Sequence, residues 1–140
     1  MKTYLKLNSK YFELTETMNS MKPSFFFKRC LRNNPSNLEN YNRIPDEGGV
    51  YKISFQDNKF YIGRSKNIRK RIYGHFVCIN QTRPKSKTER IIQAILNDES
   101  VCIEVLSYNE EDEERLIYEN RSKLCLNLSG NVKPYNWRSN

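Results

Sequence analysis

The spacing of apolar residues along the chain changes partway, from the alternation typical of strands to the recurrence typical of a helix. Residues 51–55 alternate in polarity, a stretch of turn composition follows, and residues 60–62 return to an extended pattern. This arrangement predicts two short strands joined by a tight turn, a β-hairpin. Apolar residues then recur every four positions: Ile68, Ile72 and Phe76. The recurrence predicts a helix with one apolar face.

The same reasoning predicts three more elements. Residues 86–89 have the spacing of a capping box and open a second helix. Its buried side would carry four aliphatic residues: Ile91, Ile92, Ile95 and Leu96. Residues 101–106 predict a third strand, and Asn109 is expected to cap the acidic first turn of a last helix that includes residues 116–118. The predicted order is hairpin, helix, helix, strand, helix.

Length and composition fit one ordinary domain. The chain has 140 residues and no internal repeat. It contains neither a signal-peptide pattern nor an apolar run of membrane-spanning length, so we expect a soluble, cytoplasmic protein with no membrane partner. Its four cysteines are widely spaced and include no CxxC pair, which argues against structural zinc and favours a reducing compartment.

Charge is unevenly distributed along the chain, whose formal net charge is +8. Residues 64–87 carry eight Lys and Arg residues and no acid, whereas residues 110–114 are all acidic. A basic run of this kind suits a phosphate backbone. The alternative is a solvated helix face, since most charge runs are of that kind. Arg71 favours binding, because it borders the apolar stripe of the predicted helix instead of lying opposite to it.

Four polar side chains form the candidate site. Two tyrosine–glycine motifs, Gly49-Val50-Tyr51 and Tyr61-Ile62-Gly63, place their tyrosines ten positions apart on the predicted hairpin. Arg71 and His75 are four positions apart on the next helix, so they share one face. Taken singly, a strand tyrosine is usually a packing residue and a lone histidine is usually structural. In this order and at this spacing, the set predicts a functional site.

The segments GGVYKI and YIGRSKNIRKRIYGH resemble the GIY-YIG endonuclease family. In that family a Gly-Ile-Tyr triplet precedes Tyr-Ile-Gly at a similar spacing, and a helix with Arg, often also with His, follows. Val50 stands where the family has Ile, one β-branched residue for another. The lead-in at residues 44–51 is similar to the opening of the family's excision-repair incision proteins. The resemblance extends over roughly residues 44–131.

The resemblance implies an α/β (α+β) fold, a small sandwich in which a three-stranded antiparallel sheet is flanked by helices. We expect the nuclease domain at residues 44–131. Residues 1–43 would be an N-terminal extension that packs on the domain or contacts DNA, and residues 132–140 a short tail.

The resemblance also implies a role for each site residue. Tyr51 would be the general base, Tyr61 would position water or phosphate, and Arg71 would hold the scissile phosphate. His75 would orient Tyr51 or accept its proton. A free phenol has a pKa near ~10, so Tyr51 needs neighbouring cations to act as a base at neutral pH. The basic residues expected to contact DNA are Arg64, Lys66, Arg83, Lys85 and Lys87.

In the resembled family, one carboxylate on the last helix holds a divalent cation, Mg²⁺ (or Mn²⁺), on phosphate oxygen. Glu119 is favoured for this role because it follows an apolar run within the helix. Glu114 is the alternative, since it lies 13 positions before Asn127. The late asparagine of the family corresponds to Asn127, or to Asn131 if the spacing from Glu119 decides.

These expectations predict a divalent-metal-dependent DNA endonuclease that cuts one strand per active site. Duplex cleavage would then need a homodimer, a transient dimer on DNA, or sequential nicking. A phage or mobile-element origin, repair and restriction all remain open. One alternative is a catalytically inactive nucleic-acid-binding module of the same fold. Another is a partner-binding protein that docks through Phe25–Phe27.

Overall fold

The computed structural model describes residues 2–9, 28, 30–77 and 86–128. The strands are β1 (Lys2–Lys6), β2 (Gly49–Ser54), β3 (Phe60–Ser65) and β4 (Ser100–Ser107). The α-helices are α1 (Pro35–Arg43), α2 (Ile68–Val77), α3 (Ser86–Leu96) and α4 (Glu113–Glu119). Two short 3-10 helices cover Glu110–Asp112 and Leu126–Leu128. Within these described ranges, no helix has the length and apolarity needed to cross a membrane.

The strands form one antiparallel sheet in the order β1-β4-β2-β3. The predicted α+β fold with an antiparallel sheet and flanking helices is confirmed, but the predicted number of three strands is wrong. β1, from the N-terminal extension, pairs with β4 as a fourth strand. Thr3 and Leu5 face the interior while their neighbours are exposed, the alternation of a half-buried strand.

The predicted hairpin is confirmed, and its turn shows why the sequence favours it. The Phe55 amide donates to the Lys59 carbonyl at 2.9 Å. Between them, Asn58 adopts a φ of 70°, a left-handed conformation that asparagine tolerates better than most residues. The Asp57 carboxylate accepts from the Lys59 amide at 3.1 Å and fixes the turn further. The resulting register places Tyr51 directly opposite Gly63.

The helix after the hairpin is also confirmed. Asn67 caps α2, because its side-chain oxygen accepts from the Lys70 amide at 3.0 Å. The predicted stripe of Ile68, Ile72 and Phe76 is fully buried. In α3 the prediction holds for Ile91 and Ile95 but is wrong for Leu96, which is 54% exposed because the helix ends there.

Packing occurs on both faces of the sheet. Tyr51, Ile53 and Ile103 belong to the main core, together with the buried stripes of α2 and α3. A smaller cluster on the other face joins Val50, Phe60 and Ile62 to two apolar residues of α4, Leu116 and Ile117. The hairpin is therefore held from both sides, which fixes the strands that carry the two tyrosine motifs.

An ion cluster around the buried Arg90 and Glu99 connects α3 to the exposed Asp57 of the hairpin turn. The Arg90 side chain is 5% exposed, and its Nε lies 2.8 Å from the Asp57 carboxylate while Nη2 lies 2.6 Å from Glu99 Oε1. Its guanidinium also stacks over the Phe55 ring at 4.7 Å. The hydrogen bond from Arg90 lowers the pKa of Glu99 below its usual value. Burial alone would lower the pKa of Arg90, but its bonds to Glu99 and Asp57 outweigh this and raise it.

Candidate active site

Tyr51 and His75 form a buried hydrogen-bonded pair. The Tyr51 hydroxyl lies 2.5 Å from His75 Nε2. β2 carries the tyrosine and the last turn of α2 carries the histidine, and both side chains are buried. The sequence spacing placed His75 on the helix face beside the apolar stripe, and the structure brings it onto the tyrosine of the first motif.

Tyr61 completes an aromatic triad with this pair. Its ring centroid lies 6.4 Å from that of Tyr51 and 5.7 Å from that of His75, with an edge-on geometry to the imidazole. Tyr61 is half-buried and lines a groove, whereas Tyr51 lies behind the groove wall. The two tyrosines therefore differ in position, although both stand on the same face of the hairpin.

Gly63 is required by the close approach of Tyr51. A Cβ atom at position 63 would lie 2.5 Å from the Tyr51 hydroxyl oxygen and 3.0 Å from the Tyr61 ring. The glycine of the second motif thus leaves room for the phenol of the first. Glycine is required at position 49 for a comparable reason, since a Cβ there would lie 2.3 Å from the Ser107 carbonyl oxygen of β4.

The buried triad is uncharged at neutral pH. Burial, reinforced by the positive charges of Lys87 and Arg71, lowers the pKa of His75 to about 3. Burial raises the pKa of Tyr51 well above its usual value, and Tyr61 contributes in the same direction. Burial also raises the pKa of Tyr61, with a further contribution from the charge of Glu113. A neutral imidazole beside Tyr51 is able to accept a proton.

A cationic groove of about 860 Å³ lies in front of the triad. Its wall comprises Tyr61, Arg64, Ser65, Lys66, Asn67, Lys70, Arg71, Gly74, Glu110 and Glu113. Four of these residues are Lys or Arg, and two are Glu. The start of α2 supplies Lys70 and Arg71, while Arg64 comes from β3 and Lys66 from the connection between them, because the cap at Asn67 begins the helix beside the end of β3. The groove combines positive charge with two carboxylates.

The structure separates the predicted basic residues into groups. Arg64, Lys66 and Arg71 line the groove as the prediction requires. Arg69 belongs to the same basic run but donates to the backbone carbonyls of Asn42 and Ile44 at 2.8 Å, so it holds the segment before β2. Arg83 and Lys85, together with Phe25–Phe27, lie outside the described residues.

Lys87 lies beside the triad and not among the residues of the groove wall. Its Nζ stands 4.5 Å from the Tyr61 ring centroid, in a cation–π arrangement. The sequence suggested a DNA contact for this residue; the structure also places its charge beside the aromatic rings.

Glu113, which the motifs did not identify, lines the groove with Glu110, and both carboxylates are half-buried. The Glu113 side chain is 23% exposed and lies 3.6 Å from Arg64 Nε. Burial raises the pKa of Glu113, against the opposing effect of Arg64. Glu119 is placed elsewhere: its side chain is 49% exposed and is bound by Arg115 Nη1 at 3.0 Å. Glu114 is exposed and is not part of the groove wall.

Asn127 binds backbone and not the groove. Its Oδ1 accepts from the Ile62 amide at 2.8 Å, and its Nδ2 donates to the Ile62 carbonyl at 2.7 Å. The amide thus imitates a neighbouring strand at the outer edge of β3, within the Tyr-Ile-Gly motif. Asn37 of α1 clamps Lys6 at the opposite edge in the same way, at 2.8 Å for both bonds. Asn131 lies outside the described residues.

Comparison with known proteins agrees with the site geometry. A family model described as the GIY-YIG catalytic domain matches residues 47–127, more than half of the chain. The chain belongs to the GIY-YIG family. The resemblance expected from the two tyrosine motifs is confirmed.

The chain is also similar to part of a much longer protein. The UvrABC system protein C of Helicobacter pylori (strain G27) is 34% identical to this GIY-YIG chain over 86 residues. The match covers 59% of the chain but 14% of that much longer protein. The family match and this similarity together support a nuclease of the GIY-YIG type.

One sequence signal could have identified Glu113 in this GIY-YIG chain. Glu113 precedes Leu116 and Ile117 by three and four positions, and those two residues pack on the sheet. A carboxylate one turn before the apolar pair of the helix therefore lies near the sheet. Glu119 stands beyond that pair, at the end of α4.

Proposed function

We propose that this protein is a divalent-metal-dependent DNA endonuclease that hydrolyses phosphodiester bonds and cuts one strand per active site. The proposal rests on one observation: two chemically different parts of the site lie side by side. A neutral, hydrogen-bonded Tyr51–His75 pair lies behind a cationic groove whose wall includes the half-buried carboxylate of Glu113. Hydrolysis of a phosphodiester needs a proton acceptor, cationic stabilisation of the phosphate and a metal-binding oxygen, and these parts supply each.

The proton acceptor is the Tyr51–His75 pair. Because its pKa is raised, Tyr51 is a phenol and not a phenolate, so it accepts a proton from water only if it passes its own on. His75 Nε2 lies 2.5 Å away and would accept that proton in the tautomer that carries the ring hydrogen on Nδ1. As the water oxygen bonds to phosphorus, its proton would move to the Tyr51 oxygen and the original Tyr51 proton to Nε2, while the P–O bond to the leaving strand breaks and its oxygen takes up a proton from solvent.

Tyr61 and Arg71 act on the substrate side. Tyr61 lines the groove, where its hydroxyl would orient the attacking water or a phosphate oxygen. Arg71 lines the same groove, and its planar fork suits two oxygens of one phosphate better than an ammonium does. Arg64, Lys66 and Lys70 extend the positive charge along the groove and would bind neighbouring phosphates.

Glu113 is the proposed metal ligand, in place of Glu119. The described residues contain no group of three or more His, Cys, Asp or Glu side chains arranged for a metal. A groove with Glu113 as its half-buried oxygen donor fits Mg²⁺, which commonly keeps several waters and takes its remaining ligands from substrate phosphate. Bound there, Mg²⁺ (or Mn²⁺) would neutralise charge on the phosphate oxygens.

With Glu113 as the metal ligand, each protein copy would make one cut. Cleavage of both strands would require a homodimer, a dimer formed on DNA, or two successive nicks. The groove is lined by side chains that suit phosphates more than base edges, so sequence preference is expected to be weak.

The test is cleavage of supercoiled plasmid in Mg²⁺ or EDTA by wild type, Glu113→Gln and Glu119→Gln. We expect metal-dependent nicking by wild type, a loss of about 10²-fold or more in Glu113→Gln, and near-normal nicking by Glu119→Gln. Both substitutions remove one charge from α4 and keep the side-chain size, so they are matched. Loss of activity in Glu119→Gln but not in Glu113→Gln would overturn the ligand assignment. Salt-sensitive DNA binding without cleavage by wild type would favour an inactive binding module instead.

A further inference from the structure

Lys87 and His75 contact the same aromatic ring. The Lys87 ammonium lies 4.5 Å from the Tyr61 ring centroid, and the Tyr61 and His75 centroids are 5.7 Å apart. The imidazole in turn lies against the Tyr51 hydroxyl. A positive charge from α3 is therefore one ring away from the proton acceptor proposed above.

The position of Lys87 in α3 has an electrostatic cost. It is the second residue of the helix, where the backbone N–H groups create positive potential and disfavour a cation. The contact with the face of the Tyr61 ring offsets that cost. Helix formation alone does not call for a lysine here, whereas the contact with Tyr61 does.

We propose that Lys87 is a positioning residue of the site, whose ammonium group holds Tyr61 in the groove wall and places a positive charge one ring away from the imidazole of His75. The inference rests on the nuclease function proposed above and adds to it. It differs from a DNA-contact role, because it requires an effect of Lys87 on the free protein.

The groups that face His75 support this role. Tyr51 from β2 and Tyr61 from β3 are neutral phenols, while Arg71 from α2 and Lys87 from α3 are cations. Glu113 of α4, across the groove, acts on the two tyrosines. After burial, Lys87 is the larger of the two electrostatic causes that lower the pKa of His75, ahead of Arg71. Removing Lys87 should therefore make the imidazole easier to protonate.

His75 offers a direct readout, because it is the only histidine in the chain. Its ring signals in a ¹H–¹⁵N NMR spectrum need no assignment and report protonation without DNA or metal. We would titrate wild type, Lys87→Arg, Lys87→Met and Lys87→Glu. The midpoint should stay near wild type in Lys87→Arg, rise by about 0.5–1 pH unit in Lys87→Met, and rise about twice as far in Lys87→Glu.

Lys52 provides the matched control. Its Nζ also lies 4.5 Å from an aromatic ring, that of Phe60, but Lys52 stands on the opposite face of the hairpin from Tyr51. Lys52→Glu makes the same charge change and removes a comparable stacking contact. Its His75 midpoint should match that of wild type.

Cleavage kinetics separate positioning from phosphate binding. Lys87→Met should lower kcat about tenfold with little change in KM, because Tyr61 loses the contact that holds it in place, and Lys87→Arg should restore most of the rate. An unchanged His75 midpoint across the Lys87 series, or a raised KM with unchanged kcat, would overturn the proposal. Absence of cleavage by wild type would overturn the nuclease function instead, and the titration distinguishes the two failures because it uses no DNA.

Discussion

Two buried polar clusters involve the β2–β3 hairpin, and they treat charge in opposite ways. In the cluster of Arg90, Asp57 and Glu99, opposite charges pair at 2.6–2.8 Å and each group keeps its charged form more strongly than in water. In the triad of Tyr51, Tyr61 and His75, burial moves every pKa toward the neutral form. The first cluster satisfies its charges internally, whereas the second adjoins an open cationic groove.

The difference teaches how burial serves structure in one place and chemistry in another. A buried charge paired with opposite charges fixes the elements that carry it, here α3 and the hairpin turn. Buried neutral acids and bases remain able to exchange protons. Under the proposed function, the adjoining groove would bind the phosphodiester on which that exchange acts. Four predictions test the contrast, beginning with the largest expected effect.

Removing one hydroxyl should abolish the chemistry and leave the fold intact. Tyr51→Phe is expected to slow cleavage by about 10³–10⁴-fold, because the proton of water then has no path to His75, while unfolding free energy changes by about 1–2 kcal/mol. Tyr41→Phe is the control, since it removes a hydroxyl that donates to the Arg69 carbonyl at 3.4 Å. Single-turnover cleavage and urea unfolding measure both effects. Fast cleavage by Tyr51→Phe would contradict the proposed role of the pair.

Breaking the ion cluster should have the reverse outcome. Arg90→Met leaves Glu99 buried without its cation, so we expect a loss of about 3–5 kcal/mol in unfolding free energy. The cleavage rate of the remaining folded protein should change little at low temperature. Urea unfolding of Arg90→Met and of the double variant Arg90→Met/Glu99→Gln measures this, and the double variant should be the more stable. A double variant as unstable as Arg90→Met would show that the unpaired charge is not the cause.

The pH dependence of stability should separate the clusters. The folded pKa of His75, about 3, lies below the unfolded value of about 6.5, so the unfolded chain binds the extra proton and stability falls as pH falls. Between pH 7 and pH 5 this group should cost about 2 kcal/mol. Glu99 has a lowered pKa, so its contribution is present above the usual carboxylate range and is lost only at lower pH. Urea unfolding of wild type and His75→Gln at pH 7 and pH 5 tests this. An equal slope in both proteins would refute the assignment.

The smallest effect concerns the space over Gly63. Gly63→Ala places a methyl group against the Tyr51 hydroxyl and should cost about 1–2 kcal/mol of unfolding free energy. Gly74→Ala is the matched control, because a Cβ there meets no heavy atom within 4 Å. Alanine in the helix should instead stabilise by about 0.5–1 kcal/mol. Thermal unfolding of the two variants measures both effects. Shifts of the melting temperature in the same direction would show that the close approach at Gly63 does not matter.

Local patterns predicted much of this fold. The hairpin and α2 follow from alternation, turn chemistry and a four-residue recurrence, all of which involve neighbours in sequence. β1 was missed because pairing with β4 joins residues almost one hundred positions apart. Arg69 shows the same limit: its place in a basic run says nothing of the two distant carbonyls that it binds.

The same limit separates the site residues that the sequence predicted from the one that it missed. Tyr51, Tyr61, Arg71 and His75 were identified from order and spacing, and the structure brings three of them into one aromatic triad beside the groove that Arg71 lines. Glu113 was missed because charge alone does not separate five consecutive acids, and its spacing from Leu116 and Ile117 was not used. Which acid faces the groove depends on how the 3-10 helix Glu110–Asp112 leads into α4, and that is a property of packing.

The most direct test of the central claim is nicking of supercoiled plasmid in Mg²⁺ by wild type, Arg71→Ala and Arg43→Ala. Arg71 lines the groove, whereas Arg43 pairs with Glu39 on the surface of α1. The account predicts metal-dependent nicking by wild type and Arg43→Ala, and its loss in Arg71→Ala with the fold retained. A wild-type protein that shifts DNA in a gel but cuts neither strand would contradict it, and would identify the groove as a binding surface alone.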